Sequence, residues 1–390
     1  MKALTSTLAL ILLTSASAVL ATVPPSTATP RIVVAPPPPR IVIDDGPSPN
    51  QENLLLKWTA GAATCAGVPQ AMIERPVPDL PLVWGAAAAS VRPVDLNFAV
   101  DATGRPHAIA AAEQGYVAFG ESLGAALAAS WFPAGAPRRD CSIRFTPQAV
   151  PLAQVSAADA YAATILPAGI RSKQLLDRTR PADTTCFAPS PAIRMRAFPD
   201  FKAMKATPGR PHWSMVGFDI DKEGRPVRIR TLGGSGQSEL DRGSREAVAQ
   251  SRFEPGERRG CLYPYRLAPA VLPAPPVPDR AAVRPAGSTC PDKISWQTQP
   301  ALVFPEVYRR RRIEGWAAVT YDVAPWGETG NVRVLAAEPA AEFGDRAAAI
   351  VKASKQAEQP KGYIGCTQIV RFAIGDKADR PDRRSDEDGE

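Results

Sequence analysis

The six cysteines fall into three frames of nearly one length: Cys65 to Cys141 is 76 positions, Cys186 to Cys261 is 75, and Cys290 to Cys366 is 76. By count alone, six cysteines permit fifteen pairings. The spacing narrows them, because each frame brackets one version of a hairpin phrase. These read LNFAVDATGRPHAIAAAE at 96–113, VGFDIDKEGRPVRIRTLG at 216–233 and VTYDVAPWGETGNVRVLAAE at 319–338. In each, apolar residues alternate, polar turn residues interrupt them, and alternation resumes, which is a two-stranded signal. Phe98 and Phe218 each precede the second cysteine of their frame by 43 positions, and Tyr321 precedes its own by 45. Matched frames of this kind indicate a repeated supersecondary unit. The expected bridges are therefore Cys65 to Cys141, Cys186 to Cys261 and Cys290 to Cys366, one within each of three domains. Closing a loop of that size stabilises a small domain by up to about 4 kcal/mol in the chain-entropy model. Metal or redox roles for the cysteines are disfavoured, since no Cys-x-x-Cys occurs and His107 and His212 are the two histidines of the chain.

Disulfides imply export, and residues 1–21 read as a secretory signal peptide: Lys2, an apolar stretch from Leu8 to Leu13, then small residues leading to Ala18 and Ala21. The alternative is an uncleaved inner-membrane anchor facing the periplasm, and membrane contact is expected only in that case. Proline numbers 42 of 390 residues, about twice the usual frequency. The net charge of +7 is spread along the chain, so no nucleic-acid ligand is expected. Arg309 to Arg312, the densest basic run, is expected as a solvated helix face.

The last frame is the clearest. A short helix is expected at Pro305–Arg312 and a strand at Trp316–Val323, with Ala317, Val319, Tyr321 and Val323 inward. A return strand follows at Val332–Leu335, then a helix at Asp345–Ala357 with Ala348, Val351 and Ala353 or Lys352 covered, and a last strand at Cys366–Ile374. This is an α+β fold: three tandem small domains, each a three-stranded antiparallel sheet with helices on one face. Expected boundaries are a proline-rich linker at 22–53, domains at 54–147, 183–268 and 288–375, Pro/Ala linkers near 146–183 and 268–288, and a disordered charged tail at 376–390.

These segments resemble the C-terminal domain of TonB-family energy transducers. The resemblance rests on FPEVYRRRRIEGWAAVTYDV, the turn followed by NVRVL, the alanine-rich helix, and SRFEP before the last strand of the second copy. It is specific in the third copy, good in the second and weak in the first; in the third, Gln356 stands where SRFEP has its aromatic residue. The resemblance implies a periplasmic, non-catalytic module that takes an extended peptide from an envelope partner, such as an outer-membrane receptor, onto a sheet edge. The matching edge here is Gln368, Ile369, Val370, Arg371 and Phe372. No cofactor and no metal are implied. The alternative is a structural or adaptor protein of the envelope that takes up no peptide. An enzyme is disfavoured because His107 and His212 fall in different copies, as surface polar residues, without a neighbouring nucleophile. GGSGQS at 233–238 lacks the glycine spacing of a nucleophile elbow or phosphate loop and reads as a flexible loop. Asp219 and Asp221 read as solubilising carboxylates.

Overall fold

In the computed structural model, residues 42–43 and 53–375 are described, apart from 114, 116, 167–170, 188 and 293–294. The expected signal peptide, the charged tail and nearly all of the proline-rich linker lie outside the described residues.

The first sheet contains β1 (Asn53–Ala60), β2 (Ala63–Cys65), β3 (Val68–Gln70), β4 (Leu82–Trp84), β5 (Val94–Val100), β6 (Pro106–Ala111) and β7 (Arg138–Pro151). β5 pairs with β6 on one side and with β7 on the other. The short helix α1 (Leu123–Ala128) precedes β7. Seven strands stand where three were expected, because the far side of β7 is taken by β1 and β2 in line. Leu54 pairs with Pro151, and the register runs unbroken to Ala60 with Phe145; Cys65 then meets Cys141.

The stretch 146–183 is not a linker. The helices α2 (Ala157–Ile165) and α3 (Lys173–Thr179) start at Ser156 and Ser172, whose side chains accept from the amides of Asp159 and Leu175. Ala160 and Leu175 pack with Leu55 and Leu152 of the first sheet. Tyr161 of α2 packs with Trp213 and Met215 of the second, so this helix wedges two sheets together.

The second sheet has the order β9 (Pro226–Gly234), β8 (His212–Ile220), β10 (Arg258–Leu267), with α4 (Ser238–Gln250) between β9 and β10 in the chain. The third repeats it: α5 (Glu306–Arg310), then β12 (Thr329–Glu338), β11 (Gly315–Val323), β13 (Tyr363–Phe372), with α6 (Ala341–Lys352) before β13. The expected inward set Ala317, Val319, Tyr321 and Val323 lies in the core. The helix α6 begins four residues earlier than expected, and its buried stripe is Phe343, Ala347, Ile350 and Val351. Lys352 and Ala353 are exposed and Ala348 is half-buried, because bulk rather than alanine content decides which face turns inward.

Four details recur in all three sheets. Gly104, Gly224 and Gly327 have positive φ, and a Cβ at any of them would overlap the carbonyl oxygen of Phe132, Phe253 or Gln356 respectively. The amides of those three residues donate to the carbonyls of Gly104, Gly224 and Gly327. Ala108, Arg228 and Asn331 are left-handed, each ten positions after Phe98, Phe218 or Tyr321. The residues before the second cysteines, Asp140, Gly260 and Gly365, are left-handed too. The disulfides are Cys65–Cys141, Cys186–Cys261 and Cys290–Cys366, as the spacing led us to expect.

The sheets are not separate beads. The first and third share one core, in which Ile109, Leu123 and Leu127 meet Tyr308, Ala340 and Phe343. The amide of Ile109 donates to Pro339 O, and Ala108 donates to Glu338 Oε2 at 2.8 Å. Arg310 and Arg311 are not a solvated face: they bind Asp79 at 2.9 and 2.7 Å, and Arg311 is buried. The second sheet keeps its own core and reaches the first through Arg210 and Glu74.

Candidate partner-binding edge

A strand can accept a visiting strand only where its outward N–H and C=O groups are not already laddered. Among the described residues β13 is paired by β11 alone, in continuous antiparallel register from Gly315 with Phe372 to Tyr321 with Cys366. Of the five residues expected here, Gln368, Ile369 and Val370 are half-buried and Arg371 is exposed. Phe372 is fully buried, with its ring 5.2 Å from Phe343 and 5.6 Å from Phe304. Its side chain therefore anchors the strand, and its backbone faces Gly315 of β11, so the outward backbone groups are those of Thr367, Ile369 and Arg371. The arm from Cys290 holds the start of β13: Thr289 N donates to Ile364 O at 3.0 Å, and Ile364 N donates to Thr289 Oγ1 at 2.9 Å. No backbone hydrogen bond among the described residues extends that pairing to Gln368 or beyond.

The equivalent edge of the second sheet is β10, paired by β8 alone, with the arm from Cys186 again holding its start through Thr184 and Thr185. Two features set it apart. Pro264 sits where β13 has Ile369, three residues past the cysteine, and removes one N–H from the row; a proline is accepted in a sheet where that N–H would have faced away from the ladder. Beside the strand, a cavity of about 340 Å³ is lined by Leu262, Pro264 and Arg266 together with Ile165 of α2 and Leu176 of α3. On the first sheet the same edge, β7, is filled by β1.

Residues set aside as polar surface prove to be structural. His212 is buried, with Nε2 2.8 Å from Thr207 Oγ1 and Nδ1 3.0 Å from Ser235 Oγ. Burial, then nearby Arg210, pushes its pKa down. The Nδ1 of His107 lies 3.0 Å from Glu338 Oε1 across the seam of the first and third sheets, and that hydrogen bond raises its pKa. Asp219 accepts from Gly260 N and Arg228 Nε; burial pushes its carboxyl up, but these partners outweigh it and hold it below its ordinary value. Asp221 accepts the amides of Glu223 and Arg225 and so builds the turn. GGSGQS is no free loop: Gly233 and Gly234 end β9, and Gln237 caps α4 by accepting from Leu240 N. The substitution at Gln356 is matched elsewhere. Where the first and second sheets pack Phe98 against Phe132 and Phe218 against Phe253 with tilted rings, Gln356 Nε2 donates to the hydroxyl of Tyr321. Among the described residues no group of three acidic, histidine or cysteine side chains could hold a metal ion, and no helix is long and apolar enough to cross a membrane.

The folded unit is an α+β sheet-edge module stapled by its own disulfide. Residues 213–267 and 300–374 match the family model described as Gram-negative bacterial TonB protein C-terminal. The matches cover about a third of the chain, from β8 through β10 and from ahead of α5 through β13, and leave the first sheet outside them. No curated protein matches the chain.

Proposed function

We propose that this chain is a non-catalytic periplasmic protein built from three tandem copies of the TonB C-terminal-like domain, binding peptides of envelope partners by β-strand addition at β13. The four recurring backbone details support the triplication, including a first copy that lies outside the family match. The observation that carries the binding reading is the edge of β13, which has a strand on one side and, among the described residues, no backbone ladder on the other. Extended segments of outer-membrane receptors are the expected occupants, linking the protein to transport; main-chain pairing supplies affinity and the side chains around Gln368 to Arg371 supply selectivity. β10 is the poorer acceptor, because Pro264 interrupts its row of donors.

The filled edge of β7 favours a second reading for the first copy alone, as a structural support with no partner of its own. Photo-cross-linkers at Gln368 and Arg371 in intact cells test the binding reading. Adducts to short segments of envelope proteins are expected, and Ile369→Pro should abolish them without unfolding the sheet, since Pro264 shows that β10 accepts a proline there. Adducts confined to this chain would leave an adaptor without peptide uptake.

A further inference from the structure

The segment that leads into the first cysteine of each frame differs in chemistry from one frame to the next. Ahead of Cys65 it is NLLLKWTA, with a backbone donor at every position, and it ladders along β7. Ahead of Cys186 it is the helix pair α2 and α3, which leaves the cavity against β10. Ahead of Cys290 it is PAPPVPDRAAVR, residues 273–284, with prolines at 273, 275, 276 and 278.

This proline segment is pinned at both ends of β13. At one end Leu272 N donates to Arg312 O and Glu314 N donates to Leu272 O, just ahead of Gly315, which pairs with Phe372. Arg105 of the first sheet donates to Pro273 O, and Trp316 Nε1 donates to Pro275 O at 3.0 Å. At the other end Arg280 and Arg284 hold Asp292, Pro285 and Ser288 lie against Gly365, and the Cys290–Cys366 bridge closes the path. Trp316, Ala318 and Thr367, on the face of the sheet away from α6, are buried. Four prolines in six residues cannot donate to a ladder, and among the described residues no backbone hydrogen bond joins 273–284 to β13.

We infer that residues 273–284 are a displaceable strap over the outer edge of β13, an in-chain placeholder that shields the edge without satisfying it and yields to a partner strand. This rests on the strand-capture reading of β13 and adds its regulation. A strap tied at its ends keeps the site closed to casual pairing between copies, a hazard of any bare edge. A visitor with a full set of backbone donors outcompetes it, because it makes the ladder the prolines cannot.

The test uses the full chain with a protease site inserted between the exposed Asp279 and the half-buried Arg280, compared before and after cutting in the folded state. Both ends remain anchored, so the sheet keeps its fold. Two readouts are taken: hydrogen exchange of the outward amides of Thr367 to Arg371, and binding of a synthetic peptide with the sequence of residues 53–60, the strand that fills the equivalent edge of the first sheet. Cutting should speed exchange at those amides about tenfold and tighten the peptide at least tenfold. Trp316→Phe, which removes one tie, should move both the same way by about threefold. Unchanged exchange after cutting overturns the strap. Faster exchange with no peptide bound to the cut protein upholds the strap and counts against strand capture.

Discussion

β7 and β13 are each the last strand of a cysteine frame, yet one is closed by a seven-residue ladder, and the segment ahead of the other's frame is a run of prolines. The difference lies in the donors of the neighbouring segment. With donors at every position, β1 becomes part of the sheet, burying Leu56 and Trp58 in the core shared with the third sheet. Without them, residues 273–284 make no backbone bond to β13 among the described residues. The first sheet is thereby extended to seven strands, while the third stays at three.

The comparison can be broken or sharpened by experiment. The largest contrast is in stability: Trp58→Ala removes a buried ring that donates to Phe119 O and should cost about 3–5 kcal/mol in denaturant unfolding, whereas Pro275→Ala should change stability by less than about 0.5 kcal/mol. Equal losses would erase the distinction between strand and strap. Next, replacing Cys290 and Cys366 by serine should cost about 2–4 kcal/mol, and the same change at Cys65 and Cys141 should cost less, because β1 still holds its arm by backbone pairing. Gly104→Ala, Gly224→Ala and Gly327→Ala should each cost about 1–3 kcal/mol from left-handed strain and the carbonyl overlap; a harmless change at Gly104 alone would separate the first sheet from the others. Gln356→Phe should cost about 1 kcal/mol by stranding the buried Tyr321 hydroxyl, and adding Tyr321→Phe should restore it, as a double-mutant cycle of melting temperatures would show.

The smallest effect separates the two histidines. The folded pKa of His107 is raised by Glu338, so its contribution to the seam is full below about pH 6.5 and is lost as pH rises through the raised value. His212 is shifted down by burial, so its contribution is present above about pH 6.5 and is lost as pH falls through the lowered value. Hydrogen exchange corrected for intrinsic rates should show β6 loosening toward pH 8 and the start of β8 loosening toward pH 5.

The second and third sheets were legible in the sequence because alternation, a turn glycine and a cysteine frame all point the same way. β1 was not, because Leu54, Leu55 and Leu56 run together: Leu55 packs under α3 while Leu56 enters the opposite core, so the strand is covered on both faces and shows no period of two. The helices α2 and α3 were hidden in a proline- and alanine-rich stretch, although Ser156 with Asp159 is a capping signal. Arg310 and Arg311 were misread because their carboxylate, Asp79, lies more than two hundred positions away. Of the candidate edge, the strand itself could be read from alternation. The anchoring role of Phe372 and the neighbouring prolines needed the packing of three sheets.

The seam between the first and third sheets also bears on how the chain matures. Ala108 waits for Glu338, 230 positions further on, so the earliest sheet to be synthesised stands with an unfinished hydrophobic flank until the last one follows. Contacts of such range slow assembly and leave apolar surface open to aggregation meanwhile. A product cut short before Ala340 would keep that flank bare for good, giving a folding helper or a protease a simple mark by which to sort complete molecules from broken ones.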